Sequence, residues 1–182
     1  MVHFAASVDI MVEPFFVFML VENVGFRSRL NPYARVLDLI KETRGPISIG
    51  TTFCHRQIIE GHLSEHRSIC TEYVPGNILE TESDTDPRFK VRLTVDPILG
   101  GARLTQEESF ELSPFVMPIP TADGLTGKFF RLIFGDNKVI RQPPESLIQE
   151  ELELVTHLQP KLAMWLRIIK LQLEHSPAML LA

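Results

Sequence analysis

The sequence predicts an α+β fold: an antiparallel sheet of about seven strands covered by one long C-terminal helix, with two short helices after the first strand. Three observations predict it. Residues 88–112 alternate as a hairpin, residues 34–83 break into short β-rich runs divided by turn signals, and residues 144–175 carry one wide apolar stripe.

The first run, HFAASVDIMV, alternates well enough for a strand, and Glu13-Pro14 then breaks it with a proline placed to open a helix. Residues 15–21 form that short helix. Its FFVFML core is far shorter than the ~20 apolar residues a spanning helix needs, and Glu13 and Glu22 bracket it. Residues 23–32 hold a second short helix or turn, ended by Asn31-Pro32. ARVLDLIKE, ISIGTTFCHRQIIEG, LSEHRSICTEYV and ILETES follow as strands, divided by Arg44-Gly45-Pro46, Gly61 and Pro75-Gly76-Asn77. A turn near Gly61 and His62 would set Cys54 almost opposite Cys70. Both are expected as reduced, half-buried thiols of a cytosolic protein, and neither a CxxC nor zinc-finger histidine spacing supports a zinc site.

The hairpin gives the sharpest chemistry. With its turn near Leu99, Phe89 faces Phe110, Val91 faces Glu108, Leu93 faces Gln106 and Val95 faces Leu104, so one face is apolar apart from Gln106 and Glu108. The other face pairs Lys90 with Ser109, Arg92 with Glu107 and Thr94 with Thr105, which suits a solvated surface. Glu107 and Glu108 cannot act together, because adjacent strand residues point to opposite faces. A carboxylate facing an apolar cavity is pushed towards its protonated form, which suits a general acid or base near neutral pH. Glu108 is therefore the catalytic candidate, and Gln106 would orient a ligand oxygen.

After Ser113 the pattern stops. Pro114, Pro118, Pro120, Gly124 and Gly127 mark an irregular connection over 113–143, within which GLTGKFFRLIFG is too apolar to lie fully in water. It reads as a core cap, or as a lid over a cavity. Pro143-Pro144 then opens the last helix, with Glu145, Glu150, Glu151 and Glu153 at its positive end. Leu147, Leu154, Leu158, Leu162, Trp165, Ile169 and Leu173 make the stripe, and Pro160 predicts a kink or restart near His157. Trp165 and Met164 are expected as core or cavity wall.

The 182 residues fit one domain, 1–182, able to bury a core without disulfide or metal staples. A net charge of -5 with scattered basic residues argues against a nucleic-acid partner or an acidic membrane surface. No signal segment opens the chain, so the expected compartment is the cytoplasm. Neither a phosphate-binding glycine loop, a dinucleotide fingerprint nor a Ser-His-Asp order appears, and no cofactor is expected.

Several stretches resemble one superfamily. VDIMVEPFFVFMLVENVGFRSRLNP is similar to the strand, break and paired helices of START-like (SRPBCC) proteins, the helix-grip fold shared with the birch-pollen allergens. IGTTF resembles their glycine-led third strand, CTEYVPGNILE their strand, proline turn and strand, and WLRIIKLQLE the close of their last helix. The likeness is to bacterial polyketide cyclase and dehydrase-like members, and it implies a curved sheet gripping the last helix around an apolar cavity. It also implies a polyketide- or lipid-like ligand, though no residue role carries over from the family. The candidate ligand-binding residues in this sequence are Phe53, His55, Tyr73, Phe89, Val91, Leu93, Phe110, Phe130, Leu162 and Trp165, with Gln106. Some members hold iron on two histidines and a carboxylate, but His3, His55, His62, His66, His157 and His175 show no such spacing, and no metal is expected. Cyclisation, aromatisation or dehydration through Glu108 is the leading function. The alternatives are a non-catalytic carrier or sensor, and an interaction protein whose 124–135 segment docks onto a partner or forms a homodimer.

Overall fold

The computed structural model describes residues 1–59, 61–85, 87–111 and 144–175, and in the last stretch the side chains of 149 and 151–175. The elements are β1 (Val2–Ile10), α1 (Pro14–Glu22), α2 (Val24–Arg29), β2 (Ala34–Lys41), β3 (Thr52–Ile59), β4 (His62–Val74), β5 (Ile78–Ser83), β6 (Phe89–Ile98), β7 (Gly101–Phe110) and α3 (Pro144–His175). The segment 113–143, with its 124–135 apolar stretch, lies outside the described residues.

The seven strands form one antiparallel sheet in the order β1-β7-β6-β5-β4-β3-β2. Six consecutive hairpin-linked strands make the meander, and β1 closes on β7 at its far end, so α1 and α2 carry the chain from one edge of the sheet to the other. Irregular registers between Val36 and Asp38 and between Cys70 and Glu72 bend the sheet. Its concave face holds α3.

The hairpin register is the expected one, from Phe89 opposite Phe110 to Val95 opposite Leu104. Its outer face differs in one respect. Arg92 lies opposite Glu107, yet its guanidinium turns the other way to Glu72 and to Glu80 at 3.0 Å, because two carboxylates stand on that side. Glycine is needed in the two-residue turn Leu99-Gly100 and again at Gly101, where β7 begins. Gly100 has φ +79°, and a Cβ on Gly101 would stand 2.1 Å from the Ile10 carbonyl oxygen.

Further expectations are corrected. The third strand begins at Thr52 rather than Ile47, since Gly50 takes φ +88° and turns the chain. Cys54 pairs with Arg67, not Cys70, and the half-buried Cys54 and buried Cys70 are both free thiols. Of the kink or restart expected near Pro160, the restart does not occur, since one helix runs through it. Along it Leu166, Ile169 and Leu173 are buried, whereas Met164 faces solvent at 45% exposure.

Apolar packing divides in two. The larger cluster joins Leu166, Ile169 and Leu173 of α3 to Ile10, Phe53, Leu79, Leu93 and Leu104 of the sheet and to Val17, Phe18, Leu20 and Val21 of α1. The smaller joins Val2, Phe4 and Phe110 to Leu154, Leu158 and Leu162. Along β7 the inward series runs Ala102 and Leu104 in the larger cluster, then Gln106 and Glu108, then Phe110 in the smaller. The two polar residues thus fall where the apolar clusters part.

Candidate functional site

A cavity of about 240 Å3 opens between the sheet and α3 at that gap. Phe4, Phe89, Val91, Leu158, Leu162 and Trp165 supply its apolar wall. Most of its polar groups come from four strands and α2, with Asn31, Tyr33, Thr85 and Lys161 beside them. Gln106 and Glu108 stand on β7, His55 and Gln57 on β3, His66 and Ser68 on β4, Thr81 and Ser83 on β5, and Arg27 and Ser28 on α2.

Gln106 and Glu108 are two residues apart on one strand face, and Gln106 Nε2 donates to Glu108 Oε1 at 2.5 Å. Burial drives the Glu108 carboxyl up to about 7, while the Gln106 bond and the Arg27 charge pull it back. A carboxyl with that value is part acid and part carboxylate at neutral pH. It can give or take a proton.

Arg27 owes its place to the helix pair. Asn23 caps α2 by accepting from the Phe26 amide at 3.0 Å, and one turn on, Arg27 Nη1 donates to the Val21 carbonyl at 3.0 Å. That carbonyl belongs to the last turn of α1, whose oxygens have no partner within their own helix. Trp165 Nε1 donates to the Arg27 carbonyl at 3.3 Å and ties α2 to α3. Desolvation brings Arg27 down to about 10, with Glu108 opposing, so the guanidinium remains charged at neutral pH.

Opposite them the imidazoles of His55 and His66 stack, 4.6 Å apart and 5° from parallel. His55 Nε2 and Ser68 Oγ share a hydrogen bond of 2.8 Å. Burial first, then the neighbouring His66 and Arg27, push His55 down to about 3. His66 is lowered by burial as well, with Asp84 opposing. Both rings are therefore neutral at pH 7. Among the described residues no cluster of three or more His, Cys, Asp and Glu side chains could hold a metal ion.

No protein-family model and no curated protein matches the chain. Solved structures do. TTHA0849 from Thermus thermophilus superposes with a TM-score of 0.57 at 17% identity, over 92% of this chain and 94% of its own. The Polyketide_cyc-like protein Cgl2372 from Corynebacterium glutamicum gives 0.55 at 20% identity, over 96% and 94%. The di-domain ARO/CYC StfQ from the steffimycin biosynthetic pathway gives 0.67 at 14% identity, over 98% of this chain and 52% of that one. The chain has the helix-grip fold. Within the helix-grip frame, the sheet supplies most of the polar floor of the cavity, and α3 supplies Leu158, Leu162 and Trp165 with Lys161. No helix among the described residues is long and apolar enough to cross a membrane.

Of the residues singled out from sequence, Glu108, Gln106, His55, Phe89, Val91, Leu162 and Trp165 line this cavity. Four others do not. Phe53 and Leu93 face inward but are packed into the larger apolar cluster, and Phe110 closes the smaller one, its ring 5.7 Å from Phe89. Tyr73 sits beyond the bulge in β4, beside Phe18, and its hydroxyl donates to Glu22. Phe130 lies outside the described residues. Sequence reasoning missed Arg27, Ser68, Thr81 and Ser83. The β5 run ILETES did carry a signal, since Thr81 and Ser83 alternate with outward acids where apolar residues would fill a dry core. A helix as short as α2 has no periodicity from which to read that Arg27 turns inward.

Proposed function

We propose that this cavity binds a small, largely apolar molecule bearing oxygen functions, and that Glu108 exchanges protons with it in a cyclisation, aromatisation or dehydration. The observation that carries this reading is the buried Glu108 carboxyl, held by Gln106 on the inward face of β7 and lining the cavity. Phe89, Val91, Leu162 and Trp165 would hold the apolar body, Gln106 would fix the Glu108 carboxyl, and His55 would supply a neutral hydrogen-bonding face. The likeness to a Polyketide_cyc-like protein and to an ARO/CYC di-domain supports the choice of chemistry. A volume of about 240 Å3 is near the lower end of ligand pockets, typically ~300–1,000 Å3, which favours a short or partly processed chain.

In the proposed step Glu108 as carboxylate removes a proton from carbon α to a ketone. The resulting enolate attacks a second carbonyl to close a ring, and protonated Glu108 returns the proton to the new alkoxide. Elimination of water then needs one more proton removed and one donated, by the same group. The cavity contributes by holding the chain folded, which lowers the entropic part of the barrier.

Heptane-2,6-dione is a suitable probe, since its cyclisation to 3-methylcyclohex-2-enone with loss of water is followed by ultraviolet absorbance. Protein-dependent acceleration that Glu108→Gln abolishes, with the variant folded and still binding the dione, is the expected result. Acceleration retained in Glu108→Gln would refute the acid/base role. Saturable binding of the dione without turnover in either protein would instead favour a non-catalytic carrier.

A further inference from the structure

Building on the reading of this cavity as a ligand site, we infer that its ligand carries a carboxylate, which Arg27 holds. Arg27 is only 6% exposed, yet it lines the cavity. Its Nη1 is engaged with the Val21 carbonyl, while its Nε is buried with no partner among the described residues. A guanidinium presents Nε–H as one arm of a planar fork that matches the two oxygens of a carboxylate. A buried cation left partly unsatisfied is costly, and an anion accepting from Nε would remove that cost.

Charge around the cavity points the same way. The charged and titratable groups facing it are Arg27 from α2, His55 from β3, His66 from β4, Glu108 from β7 and Lys161 from α3, with the Tyr33 phenol beside them. Lys161 Nζ sits 5.3 Å above the Tyr33 ring at the same wall. Glu108 is thus the one acid against two cations among the described lining residues, and near pH 7 burial keeps much of it protonated. Both histidines are held neutral. An apolar molecule with one anionic end would pair with the buried Arg27 guanidinium.

Glu108 would respond to such a ligand. A ligand carboxylate on Arg27 takes over the charge that had stabilised the Glu108 carboxylate and adds a like charge nearby. Glu108 then takes up a proton, so binding is written as ligand carboxylate plus Glu108 carboxylate plus one proton, giving a complex with Glu108 in its acid form. The ligand's own charge would thereby prepare the proton donor.

The test uses 3-phenylpropanoate and its uncharged isostere 3-phenylpropanamide, titrated calorimetrically into the full chain in phosphate and in Tris. The acid should bind at least about tenfold more tightly than the amide, as a charge-assisted pair would give. Binding should take up a fraction of a proton at pH 7 and close to one at pH 8. Arg27→Gln should lose the preference for the acid and keep the amide's affinity. Should that variant fail to fold, Glu108→Gln decides, since it should bind the acid more tightly than wild type and take up no proton. Equal affinities for acid and amide would overturn the carboxylate while leaving the cavity a ligand site. A preference kept in Arg27→Gln but lost in Lys161→Gln would overturn the assignment to Arg27. Binding of neither compound would overturn the ligand-site reading and the carboxylate with it.

Discussion

Gln106 and Glu108 hydrogen-bond to each other along one face of β7, so the carboxyl of one is positioned by the amide of the other rather than by a distant element. That bond favours the ionised carboxylate and partly offsets the burial that raises it. Replacing Gln106 with Met keeps the volume and removes the donor. The Glu108 carboxyl should then titrate above its value of about 7. A displacement of about one unit corresponds to a charge-assisted bond of ~1.5 kcal/mol. Carboxyl-labelled NMR reads it directly, and the rising limb of any activity profile should move alkaline by the same amount.

Stability should carry the signature of Glu108 as well. Its folded value of about 7 lies above the ordinary 4.5, so the folded chain binds this proton more tightly than the unfolded chain. The contribution is fully present below about pH 4.5 and is lost as pH rises through 7. Glu108→Gln should remove that loss. Urea unfolding of wild type and variant at intervals from pH 5 to 8 should show the variant gaining relative to wild type, by at most about 1.4 kcal/mol per pH unit.

His55 works in the opposite direction. Its folded value of about 3 lies below the usual 6.5, so it supports folding above pH 6.5 and withdraws that support as pH falls towards 3. Between about pH 4.5 and 6.5 the Glu108 and His55 slopes oppose each other, and the wild-type profile should be flatter than either variant's. His55→Gln should therefore resist acid better than wild type on the same urea series, losing up to about 1.4 kcal/mol less per unit below pH 6.5. A variant that is equally or more acid-sensitive would show that burial, with His66 and Arg27 beside it, does not hold His55 neutral.

Why Glu108 was legible and Arg27 was not has a physical reason. A strand has a period of two, so a hairpin whose turn is marked by Gly100 and Gly101 fixes which face every residue occupies, and one acid on the apolar face stands out. The same rule leaves the face of Tyr73 open, because the bulge after Cys70 changes the phase of β4. It also cannot separate cavity from core. Phe53, Leu93 and Phe110 have the inward alternation of Val91 and Phe89, and only the parting of the two apolar clusters decides which meet open space. Arg27 turns inward because α1 ends with an unpaired carbonyl within its reach, a relation between two helices that no local pattern encodes.

The turn that fixes this register should be the most glycine-dependent point of the hairpin. Gly100 is in the left-handed region at φ +79°, where a Cβ costs about 1–2 kcal/mol, and the nearest atom it would meet is the flexible end of Met11 at 3.1 Å. Gly101 is different in kind. A Cβ there would sit 2.1 Å from the Ile10 carbonyl oxygen and 3.0 Å from the Ile10 carbonyl carbon and Met11 Cα, which are backbone and cannot step aside. Ile10 is the last residue of β1 and pairs with Ala102, so relieving the clash means moving β1 off β7. Gly101→Ala should thus destabilise by about 3 kcal/mol or more, the upper end of overpacking costs, against about 1–2 kcal/mol for Gly100→Ala. Because the displaced strand pairing ends on the strand that carries Glu108, amide exchange along β1 and β7 should accelerate in Gly101→Ala and stay near wild type in Gly100→Ala. Equal urea midpoints for the two variants would refute the close approach of β1 to this turn.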